Sequence, residues 1–111
     1  ISVVADQIGT PTNAADLAEA ILKILPKISN KTIEVFHYSN EGACSWYDFA
    51  KAIFEIKGIV IEVNQIESKR YPTPAERPFY SLLNKEKIKN RYGIKISYWR
   101  CILKKTINYG L

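Results

Sequence analysis

The stretch Glu67–Ser81, reading ESKRYPTPAERPFYS, gathers the side chains best suited to holding a small polar ligand. Arg70 and Arg77 can each donate two parallel N–H bonds to phosphate oxygens. Tyr71 and Tyr80 offer aromatic faces with a polar tip. Pro72, Pro74 and Pro78 forbid a continuous helix or central strand, so these groups ride on a stiff, irregular loop. A connecting loop rarely carries this many rigid and aromatic residues. A brace over the core is the competing reading, in which Arg77 caps a helix C-terminus or pairs with Glu76 or another acid.

Catalytic groups are harder to find. His37 is the single histidine and falls in a strand-like run, where it reads as packing. That removes Ser/His/Asp and Cys/His arrangements and nearly excludes a histidine-based metal site. The acidic residues are scattered and make no pair for acid/base work. There is no Gly-x-Gly-x-x-Gly or other glycine-rich phosphate loop. Cys44 and Cys101 have no metal spacing and read as small apolar residues in a reducing compartment. The residues thus describe a recognition piece without a catalytic engine.

The elements that position these groups follow from pattern. Ile1–Ala5 is β-branched and reads as a strand, and Asp6–Thr12 (DQIGTPT) reads as a loop. Asn13 caps a helix with Asp16 in its first turn. Ala14, Leu17, Ala18, Ile21 and Leu25 form its apolar stripe, and Pro26 ends it. Thr32–Tyr38 has strand composition. Ser39–Ile53 (SNEGACSWYDFAKAI) then turns into an aromatic-rich helix. Ser45 is its N-cap, Asp48 sits three residues on, and Trp46, Phe49, Ala50 and Ile53 share one face that reads as packed in the core. Gly58 stops that helix. Ile59–Ile66 alternates as a further strand. Leu82–Tyr92 reads as a helix capped at Asn84 and stopped by Gly93. Ser97 caps a last helix, along which Trp99, Leu103 and Ile107 recur. This order of elements predicts an α/β fold class, with a small three-stranded sheet and about four helices. Three strands are thin for two helical layers, which predicts an exposed apolar surface and a sheet completed elsewhere.

The 111 residues suffice for one small domain, and the formal charge of +5 favours anionic partners. Lys69–Arg70, Lys85–Arg91 and Lys104–Lys105 are separate clusters, open to phosphorylated small molecules, to weak nucleic-acid binding, or to mere solvation of helix faces. No apolar run reaches the ~20 residues of a membrane helix, and no signal peptide is visible. The chain begins at Ile1 and contains no methionine, which we read as a piece cut or processed from something longer.

Four motifs carry a family resemblance. VVADQIGTPTNAADLAEAI (Val3–Ile21), FHYSNEGACSWYDFAKAI (Phe36–Ile53), YPTPAERPFYSLLNKEKI (Tyr71–Ile88) and YWRCILKKTI (Tyr98–Ile107) resemble, in order, the substrate-binding half of dTDP-4-dehydrorhamnose reductases. These are extended short-chain dehydrogenase/reductases of Rossmann type. The resemblance implies reduction of dTDP-4-dehydro-L-rhamnose to dTDP-L-rhamnose with NADPH or NADH, for cell-surface polysaccharide. It makes residues 1–111 a C-terminal substrate-binding domain whose N-terminal dinucleotide-binding domain lies outside this chain. The dinucleotide fingerprint and the catalytic Tyr-x-x-x-Lys pair belong to that N-terminal part. Tyr47 and Lys51 have the pair's spacing but sit in the wrong motif, and read as helix-surface residues. The fragment alone is therefore expected to bind no cofactor or metal and to have no catalytic residue. The resemblance implies Gln7, Thr12, Tyr71, Thr73 and Arg77 as substrate-binding residues, with Arg77 on the sugar-nucleotide diphosphate. It also implies a cytoplasmic protein, allows a homodimer, and implies no membrane and no specific nucleic acid. A non-catalytic relative, similar to the regulatory subunit of methionine adenosyltransferase, is the alternative; a basic nucleic-acid-binding domain is a second.

Overall fold

The computed structural model describes residues 1–29 and 31–109. The chain runs β1 (Ser2–Val4), β2 (Ile8–Gly9), α1 (Ala14–Ile24), β3 (Cys44–Ser45), α2 (Trp46–Lys57), β4 (Asn64–Ile66), α3 (Glu86–Tyr92) and α4 (Trp99–Tyr109), with 3-10 turns at Leu25–Lys27 and Ser68–Arg70. The α/β class and the four helices are as expected, but the sheet is not one three-stranded unit. β1 pairs with β4 in parallel, Ser2 opposite Asn64, and β2 pairs with β3 antiparallel, Ile8 opposite Ser45.

Helix ends follow the sequence closely. The Asn13 side chain accepts from the Asp16 N–H at 2.9 Å. Ser45 and Asp48 form a full capping box at the start of α2, satisfying two otherwise orphaned donors. Gly58 and Gly93 close α2 and α3 in the left-handed conformation. At α3 the helix begins after Lys85, with Asn84 Oδ1 still accepting from the Glu86 N–H at 2.9 Å. α4 opens differently from the expected serine cap. The Trp99 N–H donates to the Glu41 carbonyl at 3.0 Å, and the Glu41 N–H donates to the Ser97 carbonyl.

Two small cores form. Ala20 of α1 packs with Ile88 and Tyr92 of α3, with Ile94 and with half-buried Phe36; the Phe36 and Tyr92 rings lie 5.3 Å apart. Cys44 and Ala52 pack with Trp99 and half-buried Phe49 and Leu103. Asn40, fully buried, stitches the two together. Its Oδ1 accepts from the Asn13 N–H at 2.7 Å, and its Nδ2 donates to Asp16 Oδ2 at 2.8 Å and to the Ser97 carbonyl at 3.2 Å.

Several apolar runs remain outside these cores. Thr32–Tyr38 is not a strand: it opens on a bend at Thr32, Ile33 is 97% exposed and Val35 is exposed beside it. His37 is exposed there, not packed. Of Ile59–Ile66 only the last three residues pair, and Val60 is fully exposed. The α1 stripe is not its buried face either, since Ala20 is buried while Ile21, Leu22 and Leu25 are exposed. β-branched composition needs a neighbouring edge before it becomes a ladder, and Ile33–Tyr38 and Ile59–Val63 pair with none among the described residues. The radius of gyration, 16.6 Å, exceeds the roughly 13 Å of a compact domain this long.

Candidate functional site

β2 is the floor of the site because it is paired on both sides. β3 flanks it on one side. On the other the Ile8 N–H donates to the Phe79 carbonyl at 2.8 Å and the Ser81 N–H to the Ile8 carbonyl at 2.9 Å. The absence of a side chain at Gly9 lets Ser81 approach, since a Cβ there would stand 2.9 Å from Ser81 Oγ. The C-terminal end of the proline-rich loop is thus fixed to β2. Its N-terminal end is fixed one step earlier in the chain. The Asp6 carboxylate accepts the Ser68 N–H at 3.0 and 2.9 Å and the Ser68 hydroxyl at 2.5 Å. These bonds, the Ser68 hydroxyl first, hold the Asp6 carboxyl below the usual aspartate range.

Two cavities meet beside β2, and only the first is floored by it. One, of about 210 Å³, lies between β2, Cys44, Phe49 and Pro78. The second, of about 380 Å³, lies over β1 between Tyr71 and Thr73. Gln7, Trp46 and Arg77 line both and so mark their junction. Of the residues expected in the site, Gln7, Tyr71, Thr73 and Arg77 come together, whereas Thr12 is exposed and lines neither cavity. Arg91 and Arg100 are ion-paired with Glu34 and Glu55. Arg77 makes no hydrogen bond or ion pair among the described residues, with Glu76 or any other acid, and its side chain lies exposed at the junction.

Trp46 is the site residue the sequence did not single out. It falls on the helical face assigned to the core, yet it is 53% exposed and its Nε1–H donates to Gln7 Oε1 at 3.2 Å. Gln7 Nε2 donates in turn to Ser68 Oγ at 3.0 Å. The sequence held little signal for these partners, since Ser68 lies 61 residues from Gln7. Tyr47 and Lys51 lie one turn apart on α2, the ammonium 5.9 Å from the ring centroid, and neither lines the two cavities.

The lining can bind and orient but shows no reactive pair. Burial pushes the Cys44 thiol up to about 11, with Asp48 nearby adding to the shift; it therefore stays protonated and is no nucleophile near neutrality. Of the two cysteines read as small apolar residues, Cys44 is buried and Cys101 is exposed. No acidic or cysteine/histidine cluster able to hold a metal occurs among the described residues, and none of the described helices is long and apolar enough to cross a membrane.

The family model for the RmlD substrate binding domain matches residues 1–110. The chain belongs to that family. A dTDP-4-dehydrorhamnose reductase of Aggregatibacter actinomycetemcomitans is 41% identical, the match covering 99% of this chain and 40% of the relative. Among solved structures, a dTDP-4-dehydrorhamnose reductase of Clostridium acetobutylicum superposes with TM-score 0.89 at 38% identity, covering 98% of this chain and 38% of that one. The Bacillus anthracis reductase, solved in complex with NADP, gives TM-score 0.88 at 33% identity over 98% of this chain and 38% of that one. The RmlD-type chain therefore spans about two-fifths of the length of the relatives it matches.

Proposed function

We propose that this chain is the nucleotide-sugar-binding part of a cytoplasmic dTDP-4-dehydrorhamnose reductase, which reduces dTDP-4-dehydro-L-rhamnose to dTDP-L-rhamnose with NAD(P)H for surface polysaccharide. The observation that carries the proposal is Arg77, a guanidinium without an acidic partner among the described residues, at the junction of two cavities. A nucleotide sugar is a two-ended ligand with a diphosphate at its middle. A forked donor between two cavities matches that order of groups, and a bidentate guanidinium suits paired phosphate oxygens better than a lysine.

The residues present do not fit a dinucleotide. Gly9, Gly42, Gly58 and Gly93 are scattered singly, and none opens a helix as a phosphate loop must. The coenzyme and the catalytic pair are assigned to the remainder of the reductase, outside residues 1–111. What this chain contributes is binding and orientation: Arg77 on the diphosphate, and Gln7, Tyr71 and Thr73 along the walls. A homodimer is compatible with this arrangement and is not required by it.

The test is Arg77→Ala in the intact reductase carrying this segment. Loss of a charged hydrogen-bonding partner should weaken dTDP-sugar binding by about 1.5–3 kcal/mol, with coenzyme affinity and Tm unchanged. A fall in Tm with undiminished substrate affinity in the folded enzyme would make Arg77 a brace and defeat the proposal.

A further inference from the structure

We infer that Trp46 supplies the ring-stacking surface for the base of a nucleoside diphosphate held at Arg77, and that Asp6, Ser68 and Gln7 form a relay that positions its indole. The inference rests on the nucleotide-sugar reading of the site and adds to it a residue that the sequence assigned to the core.

The hydrogen bonds run in one direction. Trp46 Nε1–H donates to Gln7 Oε1, Gln7 Nε2–H donates to Ser68 Oγ, and Ser68 Oγ–H donates to Asp6 Oδ1. That polarity fixes the Gln7 amide. Flipped, it would set its NH2 against the indole N–H, donor to donor. Its oxygen would then face a serine whose proton is already committed to Asp6. An ionised carboxylate anchors the end, and bonds to a charged acceptor are the strong ones. Trp46 is half in solvent at the start of α2, where side chains ordinarily sample several rotamers unless a hydrogen bond holds one.

The relay also decides how Trp46 can act. Its N–H is taken by Gln7, so the ring is left to meet a ligand through its π face. It lines both cavities at the same junction as Arg77. A base stacked on an aromatic face gains appreciable affinity without sequence-type readout, and a pre-oriented ring loses less entropy on binding. A phosphate group alone gains nothing from such a face. The chemistry recognised is therefore a planar base attached to a diphosphate.

The experiment compares dTDP with inorganic pyrophosphate by titration calorimetry on the intact protein carrying this segment. Trp46→Ala should weaken dTDP binding about tenfold and leave pyrophosphate binding unchanged. Ser68→Ala should weaken dTDP binding about threefold, Ser68→Thr should restore it, and Ser68→Ala should have no further effect in the Trp46→Ala background. The last result separates a positioning residue from a structural one, because coupled residues are non-additive. Arg77→Ala should weaken both probes. If it does, while Trp46→Ala and Ser68→Ala leave the ratio of the two affinities unchanged, the Trp46 inference alone is overturned. If Arg77→Ala leaves both affinities unchanged, or neither probe binds, the site reading fails and the inference with it.

Discussion

Asn40→Ala should be among the most damaging polar substitutions in this chain. Asn40 is fully buried and its amide makes three side-chain hydrogen bonds, to the Asn13 N–H, Asp16 Oδ2 and the Ser97 carbonyl. Removing it leaves the Asn13 N–H without its partner, takes one of two donors from the Ser97 carbonyl, which keeps the Glu41 N–H, and deprives a carboxylate of one. Each group left unsatisfied costs about 1–3 kcal/mol, but Asp16 is only half-buried and can turn partly to water. The expected loss is therefore about 2–4 kcal/mol, a large share of the roughly 5–15 kcal/mol that typically holds a domain. The assay is urea unfolding followed by tryptophan emission, since Trp99 is 4% exposed and reports on the core. The midpoint should fall with little change in slope. Asn40→Leu, which restores volume but no hydrogen bond, should be at least as damaging. If leucine rescues stability, or if the alanine variant loses less than about 1 kcal/mol, position 40 is a packing position and the hydrogen-bond reasoning fails.

Gly42→Ala should destabilise by several kcal/mol, from about 1–3 kcal/mol of backbone strain plus overpacking of similar size. Its φ is +97°, and an added Cβ would collide with the Tyr98 ring and press on Trp99; a loss under about 1 kcal/mol would show that the turn relaxes freely. The ion cluster of Glu41 with Lys89 and Lys85 should be visible as a pH dependence. The Lys89 ammonium first, then Lys85, holds the Glu41 carboxyl below the usual glutamate range. A depressed carboxyl stabilises the fold above its unfolded pKa and ceases to do so as pH falls through the folded value. The stability gap between wild type and Glu41→Gln should thus be largest near neutrality and close in acid; a gap that is constant with pH would assign the effect to shape and not charge.

Local chemistry was legible in the sequence where a single residue decides an outcome. Asn13, Ser45–Asp48, Gly58 and Gly93 placed helix starts and stops because their partners lie within one turn. Strands were legible only where another segment of this chain supplies the edge. Thr32–Tyr38 and Ile59–Val63 carry strand composition yet form no ladder, since composition does not name a partner. The site shows the same division. Arg77 and Tyr71 stood out because they cluster in one proline-rich stretch, whereas Thr73 came only with the family resemblance. Trp46 did not, because an amphipathic helical pattern cannot tell a core face from a cavity wall, and its tie to Gln7 spans 39 residues. Thr12 was implied by the family resemblance but lines neither cavity, lying past the part of the DQIGTPT loop that β2 fixes.

The proline-rich loop explains how an exposed segment can still place one side chain. Every residue from Tyr71 to Tyr80 is exposed, so packing cannot hold it. Its two ends are instead tied to one short segment: Ser68 to Asp6, and Phe79 and Ser81 to Ile8. Closing a loop on neighbouring residues removes most of its freedom at the ends, and Pro72, Pro74 and Pro78 remove more in the middle by fixing φ. Arg77 is flanked by Pro78 and lies two residues from the clamp at Phe79, the stiffest part of an otherwise open loop. The same segment, Asp6 to Ile8, also orients Trp46 through Gln7. One short run of chain thereby fixes both the end of the loop that carries Arg77 and the Trp46 ring, while its own Gln7, Ile8 and Gly9 line the first cavity.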